Sequence, residues 1–258
     1  MTTVVATSSL RKRYRRSDPW AVDGVDLRIE EGQVFGLLGP NGAGKTSIVK
    51  MVAGLLRPDA GSVEVLGSRP GDRETRRAIG FAPEDPDFPK FLRAGEVLEY
   101  FGQLLGISAA ERSRRIPETL QWCGLADEKR QVRHFSKGMK QRLGLGQAIL
   151  GRPRLLILDE PTADLDPIGR RDVRELIEGV KARGGTVLLN SHLLSEVERV
   201  SDTVAVLNRG RVLAEGPISE VVPEGRTLEQ VFMDLVDQSV GGPRDRSVPS
   251  FMSEERPT

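Results

Sequence analysis

The chain has 258 residues, enough for one large domain or two modest ones with a sizeable core. Lys+Arg 38 against Asp+Glu 37 gives a formal net charge of +1, which removes the case for a nucleic-acid binder working through a bulk basic field. The single cysteine, Cys123, excludes an intrachain disulfide and a cysteine zinc site, and no apolar run approaches the roughly 20 residues of a membrane-spanning helix.

The first residues lack the apolar core of a signal peptide, so the expectation is a cytoplasmic chain, any membrane role of which would come through a partner. Residues 4–10 and 21–29 read as strands joined by a basic loop, 11–16, which holds Tyr14, one of two tyrosines. An aromatic among charges is either a casual surface residue or a platform for a flat ligand, and the loop alone does not choose. Next, Val34-Phe35-Gly36-Leu37-Leu38 suits a buried strand, and 47–56 carry Ile48, Val49, Met51 and Val52 at helical spacing. Between them stands Gly39-Pro40-Asn41-Gly42-Ala43-Gly44-Lys45-Thr46, which fits the phosphate-binding pattern G-x-x-x-x-G-K-[ST]. A strand running through a glycine-rich turn into a helix aims successive backbone N–H groups and the positive helix end at one spot. Lys45 would reach the β- and γ-phosphates of a nucleotide and Thr46 would set its hydroxyl on Mg²⁺, with Ser47 beside them at the helix start.

Residues 57–61 form a turn and 62–66 a short strand. A linker rich in Arg and Gly leads to a strand at 78–82, which stops at Pro83-Glu84-Asp85-Pro86. From 94 to 150 the pattern is helical, with Val97, Leu98, Phe101, Leu104 and Leu105 as one stripe and Ile116, Leu120 and Trp122 in another. Leu155-Leu156-Ile157-Leu158 is continuously apolar, as a strand buried on both faces should be. A helix at 170–183, a strand at 186–189, a helix at 193–200, a strand pair within 202–215 and a last helix at 228–236 follow. Strands alternating with helices imply a parallel sheet covered on both sides. From 239 the chain carries Gly, Pro, Ser and charges with little apolar content, and a disordered tail is expected.

Asp159 ends the apolar strand and Glu160 follows. Opposite Thr46, Asp159 could hold Mg²⁺ through water, and Glu160 could polarise an attacking water as general base. Strands often end in acidic residues, but the pairing with Lys45 and Thr46 favours the chemistry. Asn190-Ser191-His192 sets one of two histidines at the carboxyl end of a strand, where ligands of open α/β sheets gather. Neutral imidazole can contact a γ-phosphate oxygen and Glu160; alone, such a histidine is more often structural. Ser136 and Gly138 at a helix start form an N-cap and an anion nest that does not declare its anion.

Together these segments resemble the ATP-binding cassette (ABC) ATPases, over essentially all of residues 2–237. The motifs fall in the family's order: phosphate loop, switch segment at Glu84, signature from Phe135 to Met139, Asp159-Glu160, the Leu165-Asp166 loop and His192. The resemblance implies an α/β P-loop NTPase fold with a mainly parallel core sheet, an antiparallel β subdomain and a helical subdomain. It divides a single domain, 1–238, into a core (1–83 and 151–238) and a helical part (about 84–150), with a tail at 239–258. It implies that ATP and Mg²⁺ bind, and that ATP is sandwiched between one subunit's phosphate loop and the signature of a second, in a homodimer. Ser136, Lys137 and Gly138 would then lie at the γ-phosphate across the interface, with Asp166 in the inter-subunit loop. Tyr14 would stack on adenine, Glu160 would be the base, His192 the γ-phosphate switch, and Glu84 would join Thr46 and Asp159 at the metal.

Three departures stand out. Glu84 replaces the family's switch glutamine, Phe-Ser-Lys-Gly-Met replaces Leu-Ser-Gly-Gly-Gln, and Asp164 stands where glycine or alanine is commoner. The first two resemble the branch that powers bacterial export-type transporters with separately encoded membrane subunits. The Glu84 charge adds repulsion near the γ-phosphate, and Lys137 would offset part of it in the dimer. The implied function is an ATP-hydrolysing subunit driving an integral membrane transporter subunit, docked by residues 85–92 and the start of the next helix, with no nucleic acid expected. The alternative is a soluble cassette ATPase acting on ribosomes or DNA. Such proteins commonly fuse two cassettes or insert long coiled coils, whereas this chain has one cassette and no sustained heptads.

Overall fold

In the computed structural model, which describes residues 2–239, strand alternation separates two sheets of different character. β1 (Thr3–Lys12), β2 (Val22–Glu30) and β4 (Ala60–Val65) form an antiparallel sheet in the order β2-β1-β4. Along β2, Val22, Val25, Leu27 and Ile29 are buried while Gly24, Asp26 and Arg28 face out, the pattern of a sheet with one wet face. The second sheet holds β3 (Val34–Leu38), β5 (Ile79–Ala82), β6 (Leu155–Asp159), β7 (Thr186–Asn190), β8 (Thr203–Asn208) and β9 (Arg211–Pro217). Its order is β5-β6-β7-β3-β8-β9, parallel throughout except for the β8-β9 hairpin. Every residue of β3, β6 and β7 is buried, which a parallel sheet covered on both faces requires.

The helices are α1 (Lys45–Val52), α2 (Arg73–Ala78), α3 (Ala94–Leu104), α4 (Ala109–Trp122), α5 (Lys137–Ile149), α6 (Pro167–Lys181), α7 (Leu194–Val200), α8 (Ile218–Val221) and α9 (Leu228–Ser239). Side chains leave the second sheet in alternation and build a core on each face. Phe35, Leu37, Leu155, Ile157 and Leu188 join α1 and the antiparallel sheet. Leu38, Leu156, Leu158, Val187 and Leu189 join residues of α5, α6, α7 and α9. A third apolar core, built from Phe88, Val97, Leu98, Cys123, Leu125, Leu143 and Leu150, lies within the α3–α5 region. Half-buried Trp122 packs against both of the latter clusters. Burial pushes the Cys123 thiol up to about 12, so it is an inert core group.

Several sequence expectations shift. The helix after the phosphate loop spans Lys45–Val52 rather than 47–56, because left-handed Gly44 already serves as its N-cap. The Arg/Gly linker contains α2, which buries only Thr75 and so leaves no apolar stripe to read. Leu104, assigned to a buried stripe, is 60% exposed, while Val97 and Leu98 are fully buried. α6 starts at Pro167 because Asp166 caps it, and Ser239 still belongs to α9. The remainder of the expected tail lies outside the described residues.

β5 approaches α5 closely at Gly80, where an added Cβ would lie 2.1 Å from the Ala148 carbonyl oxygen and 2.8 Å from Pro153 Cγ. Backbone cannot yield as a side chain does, so Gly80→Ala is expected to lose about 1–3 kcal/mol of stability by overpacking. Urea unfolding measures this, and an unchanged midpoint would refute the fixed spacing of β5 and α5.

Candidate nucleotide site

Strand order sets β5, β6, β7 and β3 side by side and parallel, so the segments leaving their carboxyl ends meet. The register pairs Ala82 with Leu158, and Asp159 with Asn190. The resulting cavity, about 550 Å³, is bordered by Tyr14, Glu84, Glu160 and His192. It is also bordered by every expected position of the phosphate loop: Gly39, Pro40, Asn41, Gly42, Ala43, Gly44, Lys45, Thr46 and Ser47.

The loop's shape follows from Gly44, whose φ of +104° is open to glycine and whose missing Cβ would meet the Ala21 carbonyl oxygen at 2.3 Å. The first helical bond of α1 runs from Ile48 N–H to the Gly44 carbonyl. The amides before it have no helical acceptor, and with the helix dipole they favour an anion. Lys45 is buried, and its Nζ donates to the Gly39 carbonyl at 2.7 Å and the Pro40 carbonyl at 3.4 Å. Burial lowers its pKa, while Glu160, Asp159 and Glu84 act in the opposite direction. At the rim, the Tyr14 ring is 62% exposed and its hydroxyl lies 2.8 Å from Ser47 Oγ. An open aromatic face tethered by its polar end suits stacking on a flat ring.

Asp159 is buried and accepts a hydrogen bond from Asn190 Nδ2 at 2.5 Å. Burial raises its pKa; the Asn190 bond opposes the shift, and the charges of Glu84 and Glu160 add to it. Glu160 has a φ of +51°, a left-handed conformation that a non-glycine residue keeps only when its surroundings enforce it. Its N–H donates to the Asn190 carbonyl at 2.8 Å. Its Oε2 accepts from the His192 N–H at 3.1 Å and lies 2.7 Å from His192 Nδ1.

Sequence reasoning missed Asn190 as a site residue, although a polar residue ending an apolar strand beside Asp159 was a usable signal. It also missed Ala21, Leu194 and Phe232, which complete the cavity wall. Phe232 lies on α9, and no local pattern tells which face of that helix reaches the phosphate loop.

Ser136, Lys137, Gly138 and Asp166 do not border the cavity. Ser136 is the N-cap of α5, its Oγ accepting from Met139 N–H at 3.2 Å. Asp166 is the N-cap of α6, its Oδ1 accepting from Gly169 N–H at 2.8 Å. Lys137, expected to offset Glu84 across a dimer, already has an acid of its own chain: Nζ lies 2.9 Å from Asp164 Oδ2. Asp164 is the main cause of its raised pKa, with Asp85 and Glu84 adding their fields within the same chain.

A carboxyl whose pKa stands above its unfolded value holds its proton more tightly in the native state, so its ionisation at neutral pH destabilises the fold. Asp159→Asn is therefore expected to melt higher than the parent at pH 7 in nucleotide-free, metal-free buffer. The difference should close as pH falls through the carboxylate range. A lower melting temperature at pH 7 would contradict a destabilising carboxylate.

The family model described as ABC transporter matches residues 22–163. An uncharacterised ABC transporter ATP-binding protein of Synechocystis is 40% identical over 247 residues, which span 92% of this chain and 70% of that protein. Nod factor export ATP-binding protein I of Cupriavidus metallidurans is 38% identical over 246 residues, 92% of this chain and 79% of that one. A solved structure of an ATP-binding subunit of an ABC transporter aligns with a TM-score of 0.83 at 32% identity, covering 91% of this chain and 100% of the other. The chain belongs to the ABC transporter family, as one of its ATP-binding and ATP-hydrolysing subunits.

Proposed function

We propose that the chain is the Mg²⁺-dependent ATPase of an exporter, closing on ATP as a homodimer and opening after hydrolysis to move a separate integral membrane subunit. The observation that carries this reading is a divided site. Lys45, Glu160 and His192 share one cavity, whereas Ser136, Gly138 and Asp166 lie outside it on exposed or half-buried helix starts. Groups that complete a γ-phosphate site only from another copy would have this disposition.

In this reading the amides of 39–47 cradle the phosphates, Lys45 neutralises the β- and γ-phosphates, and Tyr14 stacks on adenine. The Thr46 hydroxyl and the Asp159 and Glu84 carboxylates are hard oxygen donors, which fit Mg²⁺. Among the described residues no group of three His, Cys, Asp or Glu side chains converges on a metal. That suits an ion which keeps water and takes ligands from substrate phosphates. When bound, Mg²⁺ supplies charge neutralisation on the β- and γ-oxygens. Both His192 contacts fall on Glu160 Oε2, which leaves Oε1 to take the proton of the attacking water. His192 thereby orients the base and reads the γ-phosphate. Ser136, Lys137 and Gly138 of the second copy approach that phosphate, and Asp166 lies in the loop between subunits.

The third apolar core supports treating 84–150 as a helical subdomain distinct from the core at 1–83 and 151–238. Beside it a cavity of about 390 Å³ is lined by Leu55, Phe81, Pro86, Phe88 and Phe101 among others. Leu55 is 62% exposed, and the exposed Tyr100 ring meets Phe101 edge-on at 5.4 Å. An apolar groove flanking 85–92 suits a short helix of a membrane subunit. Among the described residues no helix is long and apolar enough to cross a membrane, which fits attachment to the inner face of the cell membrane through that partner. Export over import is supported by the Nod factor export relative and by the Glu84 and Phe-Ser-Lys-Gly-Met pattern. The net charge of +1 favours no nucleic-acid partner.

Glu160→Gln is expected to bind ATP, to lose at least about 100-fold in turnover, and to sediment as an ATP-dependent dimer. Lys45→Ala should lose binding or turnover. Parent-level hydrolysis in the Glu160 variant removes the assigned base, and a monomer with ATP bound removes the sandwich. Leu55→Glu should reduce recovery with membranes when the partner is co-expressed, and exclusive recovery of the parent with ribosomes would overturn the transporter reading.

A further inference from the structure

We propose that Lys137 and Asp164 form a strap that holds the first turn of α5 against the loop carrying Glu160, making the geometry of the base depend on the docking of the helical region. The inference rests on Glu160 being the base. Lys137 opens α5, and Asp164 lies between Glu160 and the start of α6. The ion pair measures 2.9 Å, with the lysine side chain 60% exposed and the aspartate 25%. Among the described residues, Lys137 is the salt-bridge partner of Asp164. A second contact brings the same segments together: a Cβ added at Gly138 would lie 3.3 Å from the Asp164 carbonyl oxygen and 4.0 Å from Leu165 Cδ2. The backbone of the α5 start and that of the loop therefore abut beneath the ion pair.

The loop buries Pro161, Thr162 and Leu165 and leaves Ala163 and Asp164 half-buried at its middle. Its internal turns are long, Ala163 N–H to the Glu160 carbonyl and Leu165 N–H to the Thr162 carbonyl both at 3.3 Å. Glu160 at its head stands in a left-handed conformation that the surroundings must enforce. Leu165 is buried and Asp166 is fixed as the α6 cap, so the far end is secured. The middle is secured by Lys137. The lysine end is exposed while Asp164 Oδ2 is buried and makes no well-aligned hydrogen bond; a pair open to solvent at one end adds little to global stability, so its consequence is positional. Lys137 pairs with Asp164, and the more distant charges of Asp85 and Glu84, in the switch segment after β5, add only their fields.

The test is a cycle in the full chain: Lys137→Gln, Asp164→Asn, and both together. Steady-state ATP hydrolysis and equilibrium binding of a fluorescent ATP analogue are measured for each. Each single change should lower kcat about ten-fold, the scale of a small misplacement of a reacting group, and Asp164→Asn, which is given no contact with the nucleotide, should hold KM, analogue affinity and melting temperature. The double change should be no worse than either single one. Parent kcat in Asp164→Asn, or losses that multiply in the double variant, would overturn the strap. Failure of the underlying assignment is read separately, as parent-level turnover in Glu160→Gln.

Discussion

β6 and β7 run parallel in a register that sets Asp159 opposite Asn190, and the site depends on that pairing. Both strands are buried along their whole length and both end in a polar residue. An ionised carboxylate withdrawn from water costs several kcal/mol unless it is bonded. The Asn190 amide offsets part of this by donating to Asp159, yet Asn190 Oδ1 remains buried without a partner. The same Asn190 supplies, through its carbonyl, the acceptor for Glu160 N–H, and two residues on its chain reaches His192. One strand end thus fixes the buried acid, the strained residue after it and the histidine that binds it. The apolar length of the sheet tolerates this polar edge, with Phe35, Leu37 and Leu38 among the largest side chains sealed from solvent.

The electrostatics follow from that edge. Glu84, Asp159 and Glu160 arrive from neighbouring strands, and Lys45 meets all three while its own burial disfavours its charge. On the outer side Lys137 meets Glu84 again, together with Asp85 and Asp164. Glu84 therefore lies in the field of two cations, one in the cavity and one at the start of α5. Asp159 feels Glu84 as a like charge, which joins burial in favouring its neutral form, and a cation among these oxygens reverses that preference.

What the sequence made legible was local. The phosphate loop could be read because strand, turn and helix are contiguous, and Asp159 because it interrupts a continuous apolar run. Tyr14 is ambiguous from its loop alone and is an adenine platform only through the family resemblance; the fold sets it at the cavity rim with its hydroxyl beside Ser47. Phe232 was hidden because its role depends on how α9 packs against a loop far away in sequence. Leu104 misled because helical spacing allows a wider stripe than α3 buries. The start of α6 is legible in the sequence, since Asp166 followed by Pro167 is a cap-and-proline signal that places the first turn ahead of Arg170. The ion pair of Lys137 with Asp164 carried no sequence signal, since only the docking of α5 against the loop brings the two together.

The divided site also explains where the helix starts point. Both Ser136 and Asp166 spend a side-chain oxygen on capping their own helices, so each is rigid before any ligand arrives. Their electrostatics differ. The start of α5 offers a hydroxyl cap, a helix dipole and Lys137, all favourable to a phosphate approaching from outside. The start of α6 presents a carboxylate, which repels an anion and suits a contact with protein instead. In the proposed dimer one helix start would therefore meet ATP and the other the second subunit. Lys137 reaches across to Asp164 between them, so under the proposed strap the two surfaces would shift together, and the loop carrying Glu160 with them.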